Sequence, residues 1–352
     1  WLGDRFGARQ LMLIAAAMIG GGTLLLGEIK ELWQFYLIYG VFVGSMGHAA
    51  FSVLLPVIMT RWFHRHLGVV MWLYWAGQGI GPMIFAPLFR WLLETQGWQQ
   101  TFTVIGLVLG GILGVFSLFI YSTPAAKGLQ PYGAEEVSAK TDIPGTAAAK
   151  PIALREVLRQ PVVWRLTGIH HLGCLSHSVI LAHVVSMATF KGIPGVEAAG
   201  VLAAIAGSSV ISRFAFAVIA DKFGGRLTLS LSLLGQSLPV IILFFASEPW
   251  VFYLFAIVFG LSYGGEMVGF PIINKQLFGA KAPLSSIYSF EMVGAGIGMA
   301  LGGWLGGGLF DMTGDYTYAL LTSLVVGCLG VPLAMSLPRH KAPPPATILV
   351  PA

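Results

Sequence analysis

Long apolar segments separated by short polar connections make up most of this chain. We count ten segments, and each is long enough to cross the roughly 30 Å hydrocarbon core of a bilayer as a helix. They cover residues 11–27, 32–60, 67–93, 98–122, 162–189, 195–219, 227–247, 249–274, 282–310 and 316–337. This pattern predicts an all-α polytopic membrane protein.

The longest polar stretch divides the segments into four and six. We therefore expect a helical bundle over residues 1–123, a linker over 124–160, a six-helix bundle over 161–337 and a tail over 338–352. The linker is rich in proline, alanine and scattered charges, which are typical of a segment without a packed core. Its end, residues 153–159, combines apolar and basic positions at helical spacing, which predicts a short helix on the membrane surface.

Composition supports the membrane assignment and excludes several functions. Hydrophobic residues make up 56% of the chain and charged residues only 10%, whereas soluble domains carry roughly 25% charged residues. The net charge of +5 reflects topology, because sixteen of the twenty Lys and Arg residues fall on one side of the alternating segments and three on the other. We expect the linker and tail to be cytoplasmic, in a plasma or bacterial inner membrane, and no nucleic-acid partner.

A short charged pattern occurs twice and relates the two halves of the chain. Gly3-Asp4-Arg5-Phe6-Gly7-Ala8-Arg9 opens the sequence, and Ala220-Asp221-Lys222-Phe223-Gly224-Gly225-Arg226 lies in the second half. Such duplication is common in secondary transporters. We predict that these loops act as gates through Asp4, Arg5, Gly7, Arg9, Asp221, Lys222, Gly224 and Arg226.

These loops resemble the Gly-x-x-x-Asp-Arg-x-Gly-x-Arg motif of the major facilitator superfamily. In that family the motif lies between spans two and three, and its weaker copy lies between spans eight and nine. The resemblance implies the major facilitator fold, so we number the ten segments as spans three to twelve of an expected twelve. It also implies two further spans before Trp1.

Looser patterns are similar to those of the monocarboxylate-porter and oxalate/formate-antiporter branches. They are Gly97-Trp98, Leu154 to Pro161, His183, Phe259 to Gly265 and Phe310 to Tyr316. The resemblance implies a secondary transporter of small organic anions such as monocarboxylates, working by proton symport or anion exchange. It implies no enzyme activity and no cofactor, and the chain has no phosphate-binding loop for ATP.

Three ionisable residues lie deep in the predicted spans. Counted from the nearest loop charge at 1.5 Å per residue, Arg213, Glu266 and Glu291 lie about 12, 13 and 15 Å from the cytoplasmic surface. All three are therefore expected near the middle of the bilayer, where charge is costly and usually functional. A guanidinium binds a carboxylate through two hydrogen bonds, so Arg213 is the expected anchor of an anionic substrate.

The monocarboxylate porters carry an Asp-x-x-x-Arg pair in span eight. Arg213 matches the arginine, but Ser209 stands at the position of the aspartate. Glu266 or Glu291 can take over the role of proton carrier, because a buried carboxyl can change between neutral and charged forms. The alternative is that Arg213 and one glutamate form a structural ion pair.

Further candidates to line the substrate pathway are His183, His48, Tyr74 and Gln78, with core packing as the alternative for the histidines and aromatics. His170, Cys174 and His177 share one face of span seven, but two thirds of a metal shell would then come from a single helix. We therefore expect no metal site and interpret the face as the lining of a polar pathway.

Two other functions stay open at this point. An amphipathic-drug efflux pump would have an aromatic, acid-lined cavity without an anchoring arginine, and Arg213 argues against it. A membrane sensor with a transporter fold would carry a large soluble domain, and the linker and tail are too short for one. The expected partners are a carboxylate anion, a proton and the lipid bilayer.

Overall fold

The computed structural model describes residues 7–63, 67–133, 154–278 and 284–338. Within these ranges the chain is almost entirely helical, and an isolated bridge between Phe63 and Tyr132 is the only β-type pairing. Many large apolar side chains, including Trp33, Phe116 and Trp304, are exposed on the outside of the helices. Such surfaces are expected of helices that face lipid, where every backbone polar group must be satisfied within the helix. The prediction of an all-α polytopic membrane protein is confirmed.

The helices follow the predicted segments closely. Their bounds are Ala8–Leu26 (span three), Leu32–Phe35, Tyr36–Gly47 and His48–Trp62 (span four), Leu67–Leu118 (spans five and six), Pro161–Phe190 (span seven), Gly195–Phe223 (span eight), Gly225–Ser237 and Val240–Phe244 (span nine), Pro249–Phe278 (span ten), Leu284–Thr313 (span eleven) and Thr317–Met335 (span twelve). The middle piece of span four, Tyr36–Gly47, is a wider π-helix. Spans eight and ten continue about one turn beyond their apolar stretches, because helix formation does not stop at the first charged residue.

Spans five and six form one long helical stretch that is broken by a glycine. Leu67–Leu118 has 52 residues, and Gly97 inside it has φ 77° and ψ 170°. A straight helix of that length would be about 78 Å long, well over twice the thickness of the hydrocarbon core. Nine stretches of the described chain are long and apolar enough to cross a membrane. With the break at Gly97, these nine stretches account for ten crossings, as predicted.

Each of the two charged patterns contains a glycine with the same backbone conformation. Gly7 has φ 81° and ψ 144° directly before span three, and Gly224 has φ 85° and ψ 159° directly before span nine. This region of φ and ψ is open essentially to glycine alone. The repeat noticed in the sequence is thus also a repeat of local structure.

The chain divides into two compact units, one of Trp1–Gln78 with Leu88–Ala147 and one of Gly79–Pro87 with Ala148–Ala352. The second unit contains spans seven to twelve, and its core is rich in phenylalanine. The fully buried side chains include Phe252, Phe255, Phe259, Ile180, Ile205 and Val240.

A row of glycines joins span eleven to span seven. A Cβ atom added at Gly294 would lie 2.6 Å from the Thr167 side chain, and additions at Gly298 and Gly302 would meet backbone carbonyl oxygens of span seven. Small residues at a four-residue interval allow such close helix contact in membranes. This contact fixes which face of span seven is turned toward the other helices of the second unit.

The end of the predicted linker is helical over Leu154–Leu158, and its place on the membrane surface stays a prediction. Its Val157 is fully buried in a small cluster with Val163 and Ile287. The helix therefore packs on the ends of spans seven and eleven. Most of the predicted linker, residues 134–153, and all but the first residue of the predicted tail lie outside the described residues.

Candidate functional site

Span seven carries a buried polar face inside the second unit. His170, Cys174 and His177 are only 5%, 4% and 3% exposed. The His170 ring stacks on Phe270 of span ten with 3.8 Å between ring centroids, and the His177 ring meets Tyr263 of the same span edge-on at 5.0 Å. The aromatic rings of span ten thus hold both imidazoles in place. In the state that the structure describes, this face is packed against protein, whereas the sequence suggested a polar pathway.

Glu266 of span ten points into this face and is 3% exposed. Its Oε2 lies 3.3 Å from Nδ1 of His177, a close approach without hydrogen-bond geometry. The Gln236 side chain of span nine donates a hydrogen bond of 3.1 Å to the same oxygen. The other carboxylate oxygen, Oε1, has no hydrogen-bond partner among the described residues. Oε1 faces Gly173, where any side chain would collide with it.

One subset of this cluster has the chemistry of a metal-binding group. His170, Cys174 and Glu266 each offer one ligand atom, and the three atoms lie within 4.8 Å of one another. Nδ1 of His170, like Oε1 of Glu266, has no hydrogen-bond partner among the described residues. The cluster therefore contains buried ligand atoms whose hydrogen-bonding capacity is unused.

Arg213 lies in the contact between spans eight and ten and is 5% exposed. A Cβ atom added at Gly264 of span ten would lie 2.8 Å from Cγ of Arg213, so the absence of a side chain there makes room for the arginine. Ser209, at the position of the family aspartate, donates a hydrogen bond of 2.7 Å to the Ala206 carbonyl oxygen of its own helix. Its neutral hydroxyl adds no charge beside the guanidinium.

Glu291 of span eleven is fully buried and occupies a separate position. The Asn274 side chain of span ten donates a hydrogen bond of 3.0 Å to its Oε2. Asn274 follows Glu266 by eight residues, which corresponds to about 12 Å along the helix. Glu266 belongs to span ten, and Glu291 of span eleven is hydrogen-bonded to a different part of the same span. The two buried glutamates thus have different partners.

His183 lies outside this cluster and contacts span eleven. Its Nε2 is 2.8 Å from the Gly303 carbonyl oxygen of span eleven, and its ring covers Gly306. Thirteen residues separate it from His170, or about 20 Å along the helix. Its observed contacts join spans seven and eleven, and its role in the pathway stays a prediction.

The first-unit candidates are described separately from this site. Tyr74 is half-buried and meets Trp75 edge-on with 5.1 Å between ring centroids. Gln78 is exposed, as is His48 at the start of the last helical piece of span four. Their roles in substrate binding stay predictions.

The predicted gating residues are only partly within the described chain. Asp4 and Arg5, together with the side chain of Asp221, lie outside the described residues. Arg9 and Lys222 are exposed, and Lys222 lies over the Phe223 ring at 5.3 Å. Arg226 is half-buried in the first turn of span nine.

Two residues of the site were missed in the sequence, Gln236 and Asn274. Both are amide side chains inside apolar segments, at 2% and 1% exposed, and each donates a hydrogen bond to one of the buried glutamates. A search for uncharged polar residues inside the spans would have found both.

Comparison with known proteins places these features in a wider group. The sequence profile of the Major Facilitator Superfamily matches residues 1–278 and 192–350. Similar proteins include the uncharacterized MFS-type transporter YcxA of Bacillus subtilis (25% identity, 95% of this chain and 79% of the relative), monocarboxylate transporter 13 of Bos taurus (25%, 96% and 75%) and the oxalate:formate antiporter of Oxalobacter formigenes (25%, 91% and 73%). The similarity to each extends over nearly all of the present chain.

Proposed function

Because the chain belongs to the Major Facilitator Superfamily, and is thus a multi-pass membrane transporter of small molecules and not an enzyme, we propose that it carries small organic anions. Monocarboxylates are the proposed substrate class, moved by alternating access across a plasma or bacterial inner membrane with the linker and tail on the cytoplasmic side. The names of two similar proteins, a monocarboxylate transporter and an oxalate:formate antiporter, support this class.

The observation that carries the proposal is the burial of Arg213. An arginine that is 5% exposed within a membrane bundle keeps its charge, and taking a charge out of water costs several kcal/mol. A bound carboxylate offsets that charge and accepts two parallel hydrogen bonds from the planar guanidinium. We therefore assign Arg213 as the anchor of the substrate carboxylate.

Coupling to a proton is assigned to Glu291. Its carboxyl is fully buried, and the observed hydrogen bond comes from the neutral amide of Asn274. Binding a proton makes this group neutral without breaking that contact, since the amide can still donate to a carboxyl oxygen. An anion and a proton that cross together would then move no net charge. Anion exchange is the alternative mode, in which Glu291 keeps one protonation state throughout.

The test is uptake by proteoliposomes that contain the purified protein. Radiolabelled formate, lactate, pyruvate and oxalate are the probes, with and without a pH gradient. Arg213→Lys replaces the two-pronged guanidinium by a point charge, and losing one charged hydrogen bond weakens binding about tenfold to hundredfold. Arg159→Lys, at an exposed arginine before span seven, is the matched control and should transport normally.

Two results would contradict the proposal. If the wild-type protein takes up none of the four anions but exports amphipathic cations, the efflux function replaces it. If Arg213→Lys transports every accepted anion at the wild-type rate and affinity, Arg213 is a structural residue and the anchor lies elsewhere.

A further inference from the structure

We propose that His170, Cys174 and Glu266 form a binding site for one divalent cation of the zinc class. The site lies between spans seven and ten, inside the second unit, with its three ligand atoms within 4.8 Å of one another. This inference goes beyond the proposed transport of anions and does not depend on it.

The spacing of the three ligand atoms is close to what a tetrahedral cation requires. Zinc binds sulfur at about 2.3 Å and nitrogen or oxygen at about 2.0 to 2.2 Å, so two ligands of one ion are roughly 3.3 to 3.7 Å apart. In the structure the three ligand atoms all lie within 4.8 Å of one another. Side-chain shifts of about 1 Å bring the atoms to the ion, which small changes of rotamer can supply.

Unused hydrogen-bonding capacity is present on a ligand residue of each helix. His170 and Glu266 are each more than nine-tenths buried, and Nδ1 of the first and Oε1 of the second have no hydrogen-bond partner among the described residues. A buried polar atom without a hydrogen-bond partner lowers the stability of the protein by about 1 to 3 kcal/mol. A bound cation would satisfy both atoms at once.

The charges of the site balance when a divalent cation is bound. Glu266 contributes one negative charge, and Cys174 contributes a second as a thiolate after its proton is released to solvent. Together they cancel the two positive charges of the ion, while His170 binds as a neutral imidazole. A neutral site is compatible with the interior of a membrane bundle, where net charge is costly.

Two neighbours orient the Glu266 carboxylate without binding the ion. Gln236 donates a hydrogen bond to Oε2 of Glu266, and His177 lies 3.3 Å from the same oxygen. They leave Oε1 as the ligand atom. Contacts of this kind fix the geometry of metal ligands in known sites.

The mixed nitrogen, sulfur and oxygen set selects the class of ion. Magnesium and calcium prefer shells made only of oxygen, whereas thiolate and imidazole favour zinc and similar transition metals. The sequence alone argued against a metal because span seven supplies two ligands. Span seven still supplies two of the three ligands, but Glu266 brings the third from span ten, so two helices hold the site.

The experiment measures metal binding by the purified full chain in detergent. Equilibrium dialysis against ZnCl2 should show one saturable, chelator-reversible Zn²⁺ per chain. Co²⁺ in place of zinc should give a thiolate-to-cobalt absorption band in the near ultraviolet. The chain has only two cysteines, so Cys174→Ser should abolish the band and Cys328→Ser should retain it. Glu266→Gln should also lose the saturable zinc.

A labelling measurement keeps the test decisive if Cys174→Ser does not fold. In the Cys328→Ser protein the remaining thiol, Cys174, is buried, so N-ethylmaleimide should alkylate it only as the protein unfolds on heating. Zn²⁺ should protect Cys174 by raising the temperature of that alkylation, and chelator should restore the original temperature. Absence of saturable zinc in the wild type, or no protection of Cys174, overturns the proposal. A cobalt band that persists in a folded Cys174→Ser protein does so as well. Because none of these measurements uses transport, their failure is separate from failure of the proposed function.

Discussion

Replacement of Gly298 by alanine should separate spans seven and eleven. Gly298 lies on span eleven with its Cα against the backbone of span seven. An added Cβ would meet the His171 carbonyl oxygen and would lie 3.1 Å from the Leu175 nitrogen. A backbone carbonyl within a helix cannot rotate away, so the helices themselves must move apart.

The expected free-energy change follows from two opposing terms. Alanine in place of glycine inside a helix stabilises it by about 1 kcal/mol. Overpacking of a tight interior costs about 1 to 3 kcal/mol, and contact with rigid backbone is at the upper end. Gly298→Ala should therefore lower the free energy of unfolding by about 2 kcal/mol. At Gly296, two residues away, an added Cβ has no atom within 4 Å. Gly296→Ala should therefore show only the gain in helix stability, about 1 kcal/mol.

Thermal unfolding in detergent measures this difference. A dye that reacts with thiols reports unfolding, because Cys174 is buried and Cys328 half-buried in the native state. The two variants should differ by about 3 kcal/mol, which corresponds to about 6 to 12 °C in Tm for a unit of this size. Equal Tm values for Gly298→Ala and Gly296→Ala would show that the glycine row is not a tight contact.

Three further predictions concern the loops and the coupling carboxyl. Gly224→Ala forces alanine to adopt a φ of 85°, so it should destabilise the protein by about 1 to 3 kcal/mol, and an unchanged Tm would contradict the strained turn. Asp4→Asn should slow transport with substrate affinity nearly intact, and lost affinity at normal turnover would refute a gating role. Glu291→Gln should abolish accumulation driven by a pH gradient but keep anion exchange, and Glu197→Gln, at an exposed carboxyl, is its control. Undiminished gradient-driven accumulation in Glu291→Gln would exclude Glu291 as the proton carrier.

Features that depend on local sequence were predictable. The ten apolar segments correspond to ten helical crossings because the bilayer fixes the length of an apolar helix. The break at Gly97 and the turns at Gly7 and Gly224 follow from backbone conformations that favour glycine. Counting residues from the loops predicted that Arg213 and both glutamates lie deep in their spans, since helical rise is constant.

The partners of the buried groups were not predictable in the same way. Which face of a helix meets which neighbour depends on helix rotation and tilt, and these are set by packing over the whole bundle. The adjacent histidines illustrate this point. His170 stacks on Phe270 of span ten, while His171 contacts the Gly294 carbonyl oxygen of span eleven at 3.0 Å. Periodicity places them on different faces, but it does not say which helix each face meets.

Span ten links the three polar sites of the second unit. Gly264 faces Arg213, and Glu266 follows two residues later, which is about 3 Å along the axis and roughly 200° around it. The same helix therefore contacts the arginine on one side and the histidine cluster on the other. About 12 Å further along, Asn274 holds Glu291. If an anion at Arg213 displaces span ten as a rigid helix, the displacement reaches Glu266 and Glu291 together. A cation that joins Glu266 to span seven would oppose that displacement, so zinc at the cluster should slow anion transport through the same helix.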